Sequence, residues 1–304
     1  MKKKKVRLHD IATAKEHVLK KLYLAEAEGL PLSPWTPEER AALPELEKEG
    51  LIRRDDNRYS LTERGKEEGA AIVRKHRIYE TYLAKKTGFD PAKWHQLAEK
   101  EEHLIDAETL KKWEKELGFP VVDPHGDIIP DEKGVLEKPA SVPMHSLRPG
   151  TATVYKVVHV EDEPEDVYLR LLHKGFYPGM IIRTIYRNGK WHVEYEGLKT
   201  VLSPAEASLI SVISTDPDLW DGKLMRLSLL EPGEKAVIVR LSDDLQGLPR
   251  QRLLDLGFVP DARVSVYLRA PLGEPVAYDI KGSTVALRKE QAAKILVKKT
   301  ENGG

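Results

Sequence analysis

Apolar and polar positions at the start of the chain predict two helices followed by a hairpin. Residues 12–28 carry apolar side chains at the spacing of an amphipathic helix. Thr36 and Pro37, with a glutamate three residues after the threonine, have the pattern of a helix start, and that helix should end at Gly50. Residues 51–62 (LIRRDDNRYSLT) have the alternation and turn residues of a β-hairpin. Helix, helix, hairpin is the order of a winged helix.

The next part of the chain is predicted to be helical. One long helix is expected from Glu63 to about Lys86. Gly88 to Pro91 break the pattern, and two further helices are expected, from Pro91 to about Ile105 and over about 106–117. A turn-rich segment (DPHGDIIPDEKG) and a linker then lead to about Val142.

The remainder changes to short β-type segments and repeats itself at an offset of 82 to 85 residues. Three short patterns recur in the same order: Leu147, Pro149 and Gly150 as Leu230, Pro232 and Gly233; Leu171, Leu172, Gly175, Phe176 and Pro178 as Leu253, Leu254, Gly257, Phe258 and Pro260; Gly197, Leu202, Ala207, Ile210 and Val212 as Gly282, Leu287, Ala292, Ile295 and Val297. We interpret this as two copies of a small β-barrel, each with a short helix before its Gly-Phe turn.

Length and composition narrow the class of protein. A chain of 304 residues usually forms two to four domains. The absence of cysteine excludes disulfides and thiolate metal sites, and agrees with a cytoplasmic setting. There is no run of 18 or more apolar residues, so no span of a membrane is expected, and the basic start has no apolar segment of a secretory signal behind it. The zero net charge neither supports nor excludes a nucleic-acid partner.

These patterns predict a multidomain α+β protein. We expect a winged-helix-like domain that is shortened, a helical domain and two SH3-like β-barrels, over residues 1–64, 65–140, 141–215 and 222–300.

Two stripes of potential metal ligands fall on the predicted helices. His76 and Glu80 are four residues apart and therefore share one face of the long helix. The next helix carries a second stripe at positions i, i+4, i+7 and i+8: His95, Glu99, Glu102 and His103. If the stripes face each other, six nitrogen and oxygen ligands converge, enough for one six-coordinate site or two adjacent sites.

A solvated face with ion pairs along the helix is the ordinary interpretation of one such stripe. Two stripes within 30 residues favour a metal, because no lysine or arginine occupies the stripe positions and the carboxylates would repel one another without a cation. Imidazole and carboxylate ligands without sulfur favour Mn(II) or Fe(II), and would also accept Zn(II), Co(II) or Ni(II).

The same residues resemble a known family. The segment VRKHRIYETYLAKKTGFDPAKWHQLAEKEEHLI, followed by DPHGDIIP, resembles the metal-binding and dimerisation domain of the diphtheria-toxin-repressor family of metal-dependent regulators, from about Glu63 to Pro130. The second repeat (LSLLEPGEKAVIV onward) resembles a FeoA-type SH3-like domain, and the first resembles the SH3-like third domain of those regulators. The resemblance implies a homodimer that senses Mn(II) or Fe(II) and binds operator DNA.

The resemblance also implies how the ligands divide between two neighbouring sites. One site would contain His76, Glu80 and His95. The other would contain Glu99, Glu102 and His103, with His17 from the first helix. A carboxylate of the SH3-like domain, Glu163 or Glu165, could complete the first site. Glutamate at position 99 is typical of manganese-type members, whereas iron-type members have cysteine there.

The DNA-reading region departs from the family. Only Leu30 to Glu49 separate two glycines, where the family normally has a whole additional helix. The remaining helix is acidic and contains Pro44, which should kink it, so it is poorly suited to a phosphate-lined groove. In favour of DNA, the predicted wing carries arginines and the chain begins with lysines: Arg53, Arg54, Arg58 and Lys2 to Lys5.

Two other functions are weighed against a repressor. Similar domains occur fused to, or beside, the permease subunits of metal transporters, so a metal-sensing module with a metal-transporter subunit as its partner is the alternative. Catalysis is disfavoured, because no H-E-x-x-H motif, nucleophile elbow or phosphate loop is present. His125 is expected to shape a turn, and the remaining histidines of the β half to be surface or packing residues: His145, His159, His173 and His192.

Overall fold

The computed structural model describes residues 2–56, 58–131, 134, 140–147, 150 and 152–300, with the backbone alone described for 2–10. The chain forms two compact units. The first comprises residues 1–83, 93–123 and 127–138, and the second comprises 84–92, 124–126 and 139–304. Within the described ranges, no helix combines the length and the apolar character needed to cross a bilayer.

The first unit begins with the predicted order of helix, helix and hairpin. Helix α1 (Lys2–Tyr23) continues into one π-helical turn (Leu24–Glu28), and α2 covers Pro37–Lys48. The hairpin pairs β1 (Ile52–Asp55) with β2 (Arg58–Leu61). The described residues between the π turn and α2 contain no helix. The expected shortening of the winged helix is therefore present in the backbone, whereas Asn57 at the predicted turn lies outside the described residues.

Local sequence signals explain where α2 begins. The Thr36 hydroxyl accepts a hydrogen bond from the Glu39 amide, and the Glu39 carboxylate accepts one from the Thr36 amide. This capping box satisfies two amide groups at the helix start that would otherwise have no partner. The helix continues through Pro44 to Lys48 and buries Leu43 and Leu46.

Three more helices complete the first unit, at the predicted positions. They are α3 (Glu63–Lys86), whose last residues belong to the second unit, α4 (Trp94–Glu101) and α5 (Ala107–Leu117). Short 3-10 turns precede and follow α4, over Pro91–Lys93 and Glu102–Leu104. Helices α1 and α3 pack closely, because a Cβ built on Gly69 would lie 2.9 Å from the Cβ of Tyr23.

The second unit contains two six-stranded antiparallel sheets with equivalent strand orders. The strands of the first are β3 (Val142–Pro143), β4 (Thr153–Val160), β5 (Ile181–Arg187), β6 (Lys190–Tyr195), β7 (Leu198–Leu202) and β8 (Ile210–Ser214). The strands of the second are β9 (Leu224–Arg226), β10 (Lys235–Leu241), β11 (Arg263–Arg269), β12 (Val276–Ile280), β13 (Ser283–Leu287) and β14 (Ile295–Lys299).

The internal repeat is visible in the turns. Glu196-Gly197 joins β6 to β7, and Lys281-Gly282 joins β12 to β13. All four residues have positive φ angles, between 45° and 80°. Two-residue loops of this kind match the twist of the flanking strands.

Short helices fill the remaining equivalent positions. They are α6 (Glu165–Lys174), α7 (Pro204–Ser208), α8 (Gly247–Asp255) and α9 (Lys289–Ala292). Helices α6 and α8 come just before the Gly-Phe turns, as predicted. The fold class expected from the sequence is confirmed, while Arg148 and Pro149 of the first repeat lie outside the described residues.

Four clusters of buried apolar side chains follow one another along the chain. One joins α1, α2, the hairpin and the start of α3. A small one contains Ile78, Leu117 and Ile129. Each barrel encloses its own cluster. The division into four domains at the stated boundaries stays a prediction.

Candidate metal centre

Four segments of the first unit bring histidines and carboxylates together. The last turns of α1 contribute His17, and α3 contributes His76 and Glu80. Helix α4 contributes His95 and Glu99, and the 3-10 turn after it contributes Glu102 and His103. The two predicted stripes therefore do face each other, and α1 lies against both of them.

The first group consists of His76, Glu80 and His95. The Nε2 atom of His76 lies 3.2 Å from Oε1 of Glu80, which lies 3.4 Å from Nδ1 of His95. His76 and Glu80 are buried, whereas His95 is partly exposed. These are the three residues that the sequence assigned to one site.

The second group consists of His17, Glu102 and His103. The two imidazole Nε2 atoms lie 3.0 Å apart, and Nε2 of His103 lies 3.9 Å from Oε1 of Glu102. Nδ1 of His103 is 2.6 Å from a carboxylate oxygen of Glu16. A carboxylate can only accept, so Nδ1 donates this hydrogen bond, and Nε2 faces His17. Glu16 therefore holds the ring as carboxylates hold many metal-binding histidines.

Glu99 lies between the two groups. Its Oε1 atom is 3.9 Å from Nε2 of His95, and its Oε2 atom is 3.8 Å from Nε2 of His17. It also forms a group of potential ligands with His76 and Glu102. The family resemblance implied that Glu99 belongs to the second site alone, whereas its carboxylate lies near His95 of the first group and His17 of the second.

Lys20 is the residue at this site that sequence reasoning missed. Its ammonium lies 2.5 Å from Glu99, 3.2 Å from Glu102 and 3.0 Å from Nδ1 of His76. It is three residues after His17 on α1, hence on the same face, and that spacing was the available signal. No lysine occupies the stripe positions of α3 and α4, but α1 brings the ammonium of Lys20 to the carboxylates of the α4 stripe.

The charges at the centre shift one another's pKa values. Burial opposes the charged form of Glu99, but the nearby Lys20 outweighs it and lowers the pKa of Glu99 to about 2. Burial likewise opposes the charged form of Lys20, yet Glu102 and Glu99 raise its pKa. Burial lowers the pKa of His17, which favours the neutral imidazole that a metal requires. The Glu99 carboxylate is thus ionised and the His17 ring is neutral near pH 7.

The spacing and chemistry of these atoms suit a divalent transition metal. Ligands about 2.0–2.2 Å from one ion lie roughly 3 Å apart at right angles. The separations from Glu80 to His76 and His95 and between His17 and His103, 3.0–3.4 Å, are close to that distance, and the separation of His103 from Glu102, 3.9 Å, is longer. Imidazole nitrogens and carboxylate oxygens without sulfur are ligands of borderline and hard divalent ions.

The remaining predicted site residues are exposed, two in the second unit and three on the hairpin. Glu163 and Glu165 are in the second unit, where both are exposed, and their part in a metal site stays a prediction. Arg53, Arg54 and Arg58 are exposed on the hairpin, and their role in DNA binding also stays a prediction.

His125 does more than shape a turn. It is buried, its carbonyl accepts a hydrogen bond from the Val160 amide, and its Nδ1 atom is 3.2 Å from the hydroxyl of Tyr168. It therefore joins the segment 124–126 to the first barrel.

Comparison with known families agrees with this arrangement. Residues 62–131 match the iron-dependent repressor metal-binding and dimerisation domain. Residues 225–299 match the FeoA domain. The resemblance inferred from the sequence is confirmed.

Individual relatives fall into two groups. A fusion protein of Fe(2+) transport protein A and Fe(2+) transporter FeoB from Porphyromonas gingivalis is 48% identical over 73 residues, 24% of this chain but only 8% of the relative. The diphtheria toxin repressor of Corynebacterium diphtheriae is 24% identical over 208 residues, 62% of this chain and 92% of the repressor. Among solved structures, a manganese-dependent transcriptional repressor in complex with manganese aligns with a TM-score of 0.56 and 25% identity, over 66% of this chain and 99% of that one.

Proposed function

We propose that this chain, which contains the metal-binding and dimerisation domain of the iron-dependent repressors and a FeoA domain, is a metal-dependent transcriptional regulator without a catalytic role. It would sense Mn(II) or Fe(II) and control genes of metal homeostasis as a homodimer on operator DNA. The observation that carries the proposal is the convergence of histidines and carboxylates from α1, α3 and α4 on one buried centre.

The ligands join the N-terminal helix to the helical domain. His17 belongs to α1, which packs against α2 and the hairpin, while His76 and Glu102 belong to the later helices. A bound divalent cation supplies the positive charge that three neighbouring carboxylates require. The residues then hold α1 at a fixed angle to α3, which fixes the hairpin relative to the dimer; coupling of this kind is typically worth about 1–3 kcal/mol.

Glutamate at position 99 supports Mn(II) as the preferred ion, because a carboxylate is a harder ligand than a thiolate. Zn(II), Co(II) and Ni(II) are expected to bind in vitro. This choice is tested by competition of each metal with Mn(II) for the purified protein.

The experiment is fluorescence anisotropy of the purified full chain with its own promoter region, in Mn(II) and in chelator. Metal-dependent and sequence-selective binding is the expected result. The variant Glu102→Ala with His103→Ala should lose metal affinity and metal-dependent DNA binding, whereas Glu101→Ala, one residue earlier, should retain both. Metal affinity that survives the double substitution would show the ligand assignment to be wrong.

A second candidate is a metal-sensing module of a metal transporter. The exposed positions of α2 support it, because Glu38, Glu45 and Glu47 outnumber Arg40 and Lys48 there. The identity to an iron transporter fusion supports it as well. Under this alternative the protein binds Mn(II) but associates with DNA only weakly and without sequence preference.

A further inference from the structure

The Lys20 ammonium lies among potential metal ligands that are all buried or half-buried. The ammonium donates to the carboxylates of Glu99 and Glu102, and it lies 3.0 Å from Nδ1 of His76, which itself donates to Glu102. Only 9% of the Lys20 side chain is exposed, and the side chain of Glu102 is fully buried. The ammonium therefore exchanges its water shell for ligands that would otherwise coordinate a metal.

The charges explain why an ammonium is stable at this place. Glu99 and Glu102 contribute ligand atoms to one group with His76, and two carboxylates at such distances repel strongly in a protein interior when both are charged. One positive charge from α1 offsets part of that repulsion.

The same atoms cannot serve the ammonium and a metal at once. His76, Glu99 and Glu102 form one of the groups whose ligand atoms converge within 4.8 Å, and Lys20 contacts all three residues. Glu102 is shared with the group of His17 and His103. A metal held by Glu99 or Glu102 must therefore compete with Lys20.

We propose that Lys20 is an internal cation of the metal centre, which occupies the Glu99–Glu102 position until a divalent metal displaces it. The proposal rests on the proposed metal-sensing function and deepens it. In the metal-free protein Lys20 holds α1 against α4. Because displacement costs those contacts, Lys20 weakens metal binding and raises the metal concentration at which the protein responds.

The test is Lys20→Met in the full chain, which keeps the length of the side chain and removes its charge. Equilibrium dialysis with Mn(II) and metal analysis of the dialysed protein measure affinity and the number of ions per chain. We expect Mn(II) to bind about tenfold more tightly than in the wild type, within the usual range of coupling between sites. We also expect the variant to have a lower melting temperature than the wild type in chelator, and its melting temperature to rise more on addition of Mn(II).

Lys21→Met is the matched control. Lys21 is the next residue of α1 and forms an ion pair of 2.7 Å with Glu39, away from the metal ligands. It should lower stability without changing Mn(II) affinity. If metal-free Lys20→Met does not fold, Lys20→Met with Glu99→Gln is compared with Glu99→Gln alone. The two differ only in the ammonium, and the double variant should bind Mn(II) more tightly.

The outcomes separate the two proposals. A Lys20→Met protein that loses stability but binds Mn(II) with wild-type affinity and stoichiometry would overturn the internal cation and leave the metal sensor intact. A wild-type protein that binds no Mn(II) would overturn the proposed function, and the role of Lys20 with it.

Discussion

Glu196 and Arg226 form a buried ion pair that joins the two barrels. Glu196 lies in the β6–β7 turn of the first barrel and Arg226 at the end of β9 in the second, with 2.8 Å between Oε2 and Nε. The hydroxyl of Tyr177 donates to the same carboxylate. The guanidinium also donates to the carbonyl of Gly175 at 2.8 Å. Each charge thus has several partners.

Removal of one partner of this pair should be costly. Arg226→Met leaves the Glu196 carboxylate buried without its counter-charge, and we expect the free energy of unfolding to fall by about 3–5 kcal/mol. Glu196→Leu combined with Arg226→Met should recover most of the loss, because a buried pair is often replaceable by apolar side chains. Urea denaturation of the three proteins measures both effects. A single variant as stable as the wild type would contradict this account.

The stability of the first barrel should depend on pH through Glu206. Its carboxylate caps α7 by accepting from the Ser203 amide and forms an ion pair with Lys174. Burial raises the pKa of Glu206, but hydrogen bonds and charge from Lys174 and Ser203 lower it by more. Its pKa in the folded protein is therefore below the ordinary 4.5. The stabilisation is complete above that value and is lost as the pH falls through the folded pKa.

Glu206→Gln should therefore destabilise the protein at pH 7 by about 1.5–3 kcal/mol, the range for a hydrogen bond to a charged group. The difference from the wild type should shrink as the pH falls below 4.5 and vanish once the pH is below the folded pKa of Glu206. Denaturation at a series of pH values provides the measurement. Glu194→Gln is the control, since its pair with Lys199 is at the surface and contributes little.

Gly65 has no room for a side chain. A Cβ built there would lie 1.9 Å from the carbonyl oxygen of Leu51, which already accepts a hydrogen bond from the Thr62 amide. Gly65→Ala should push the hairpin away from α3 and destabilise the protein by about 1–3 kcal/mol. Gly88→Ala, with no heavy atom within 4 Å, should change the stability by less than about 1 kcal/mol. Equal melting temperatures for the two variants would contradict the prediction.

The proposed homodimer should depend on apolar side chains that are exposed in the single chain. Val121 lies within the matched dimerisation domain and is 73% exposed. Val121→Glu should raise the dimer dissociation constant about tenfold or more if this surface is covered by a second copy. Sedimentation equilibrium measures the constant. Leu272→Glu, at a fully exposed residue of the second barrel, should leave it unchanged.

The arginines of the hairpin should determine the salt dependence of DNA binding. Arg53, Arg54 and Arg58 are exposed on one small hairpin, where each could contact a phosphate. Replacement of each arginine by glutamine should reduce the slope of log affinity against log salt by about one. Arg187→Gln, in the first barrel, is the control. An unchanged slope in the triple variant would remove the hairpin from the DNA contacts.

Local signals were enough to predict most elements of the fold. Thr36 and Glu39 marked the start of α2, and Gly197 and Gly282, which recur at equivalent positions of the repeats, each lie in a two-residue turn. His76 and Glu80 fell on one face because four residues are close to one helical turn. Each of these relationships spans fewer than five residues.

Contacts between distant segments could not be predicted in the same way. Lys20 and His76 are 56 residues apart, and no periodicity along the chain links them. The Glu196–Arg226 pair is another contact between distant segments. The internal repeat does not predict it either, because the position equivalent to Glu196 in the second repeat is Lys281. The repeat matched Gly197 with Gly282, but it did not predict that the turn containing Gly197 holds the barrels together.

The continuity of α3 has a mechanical consequence. From Gly65, under the hairpin, to Glu80, in the metal centre, the helix runs without a proline or a break over 15 residues, about 22 Å. A rod of that length acts as a lever: a tilt of about 5° at the Glu80 end moves the hairpin end by roughly 2 Å. A movement of His76, Glu80 and Lys20 by less than a bond length would thus produce a larger movement of the exposed arginines on the hairpin.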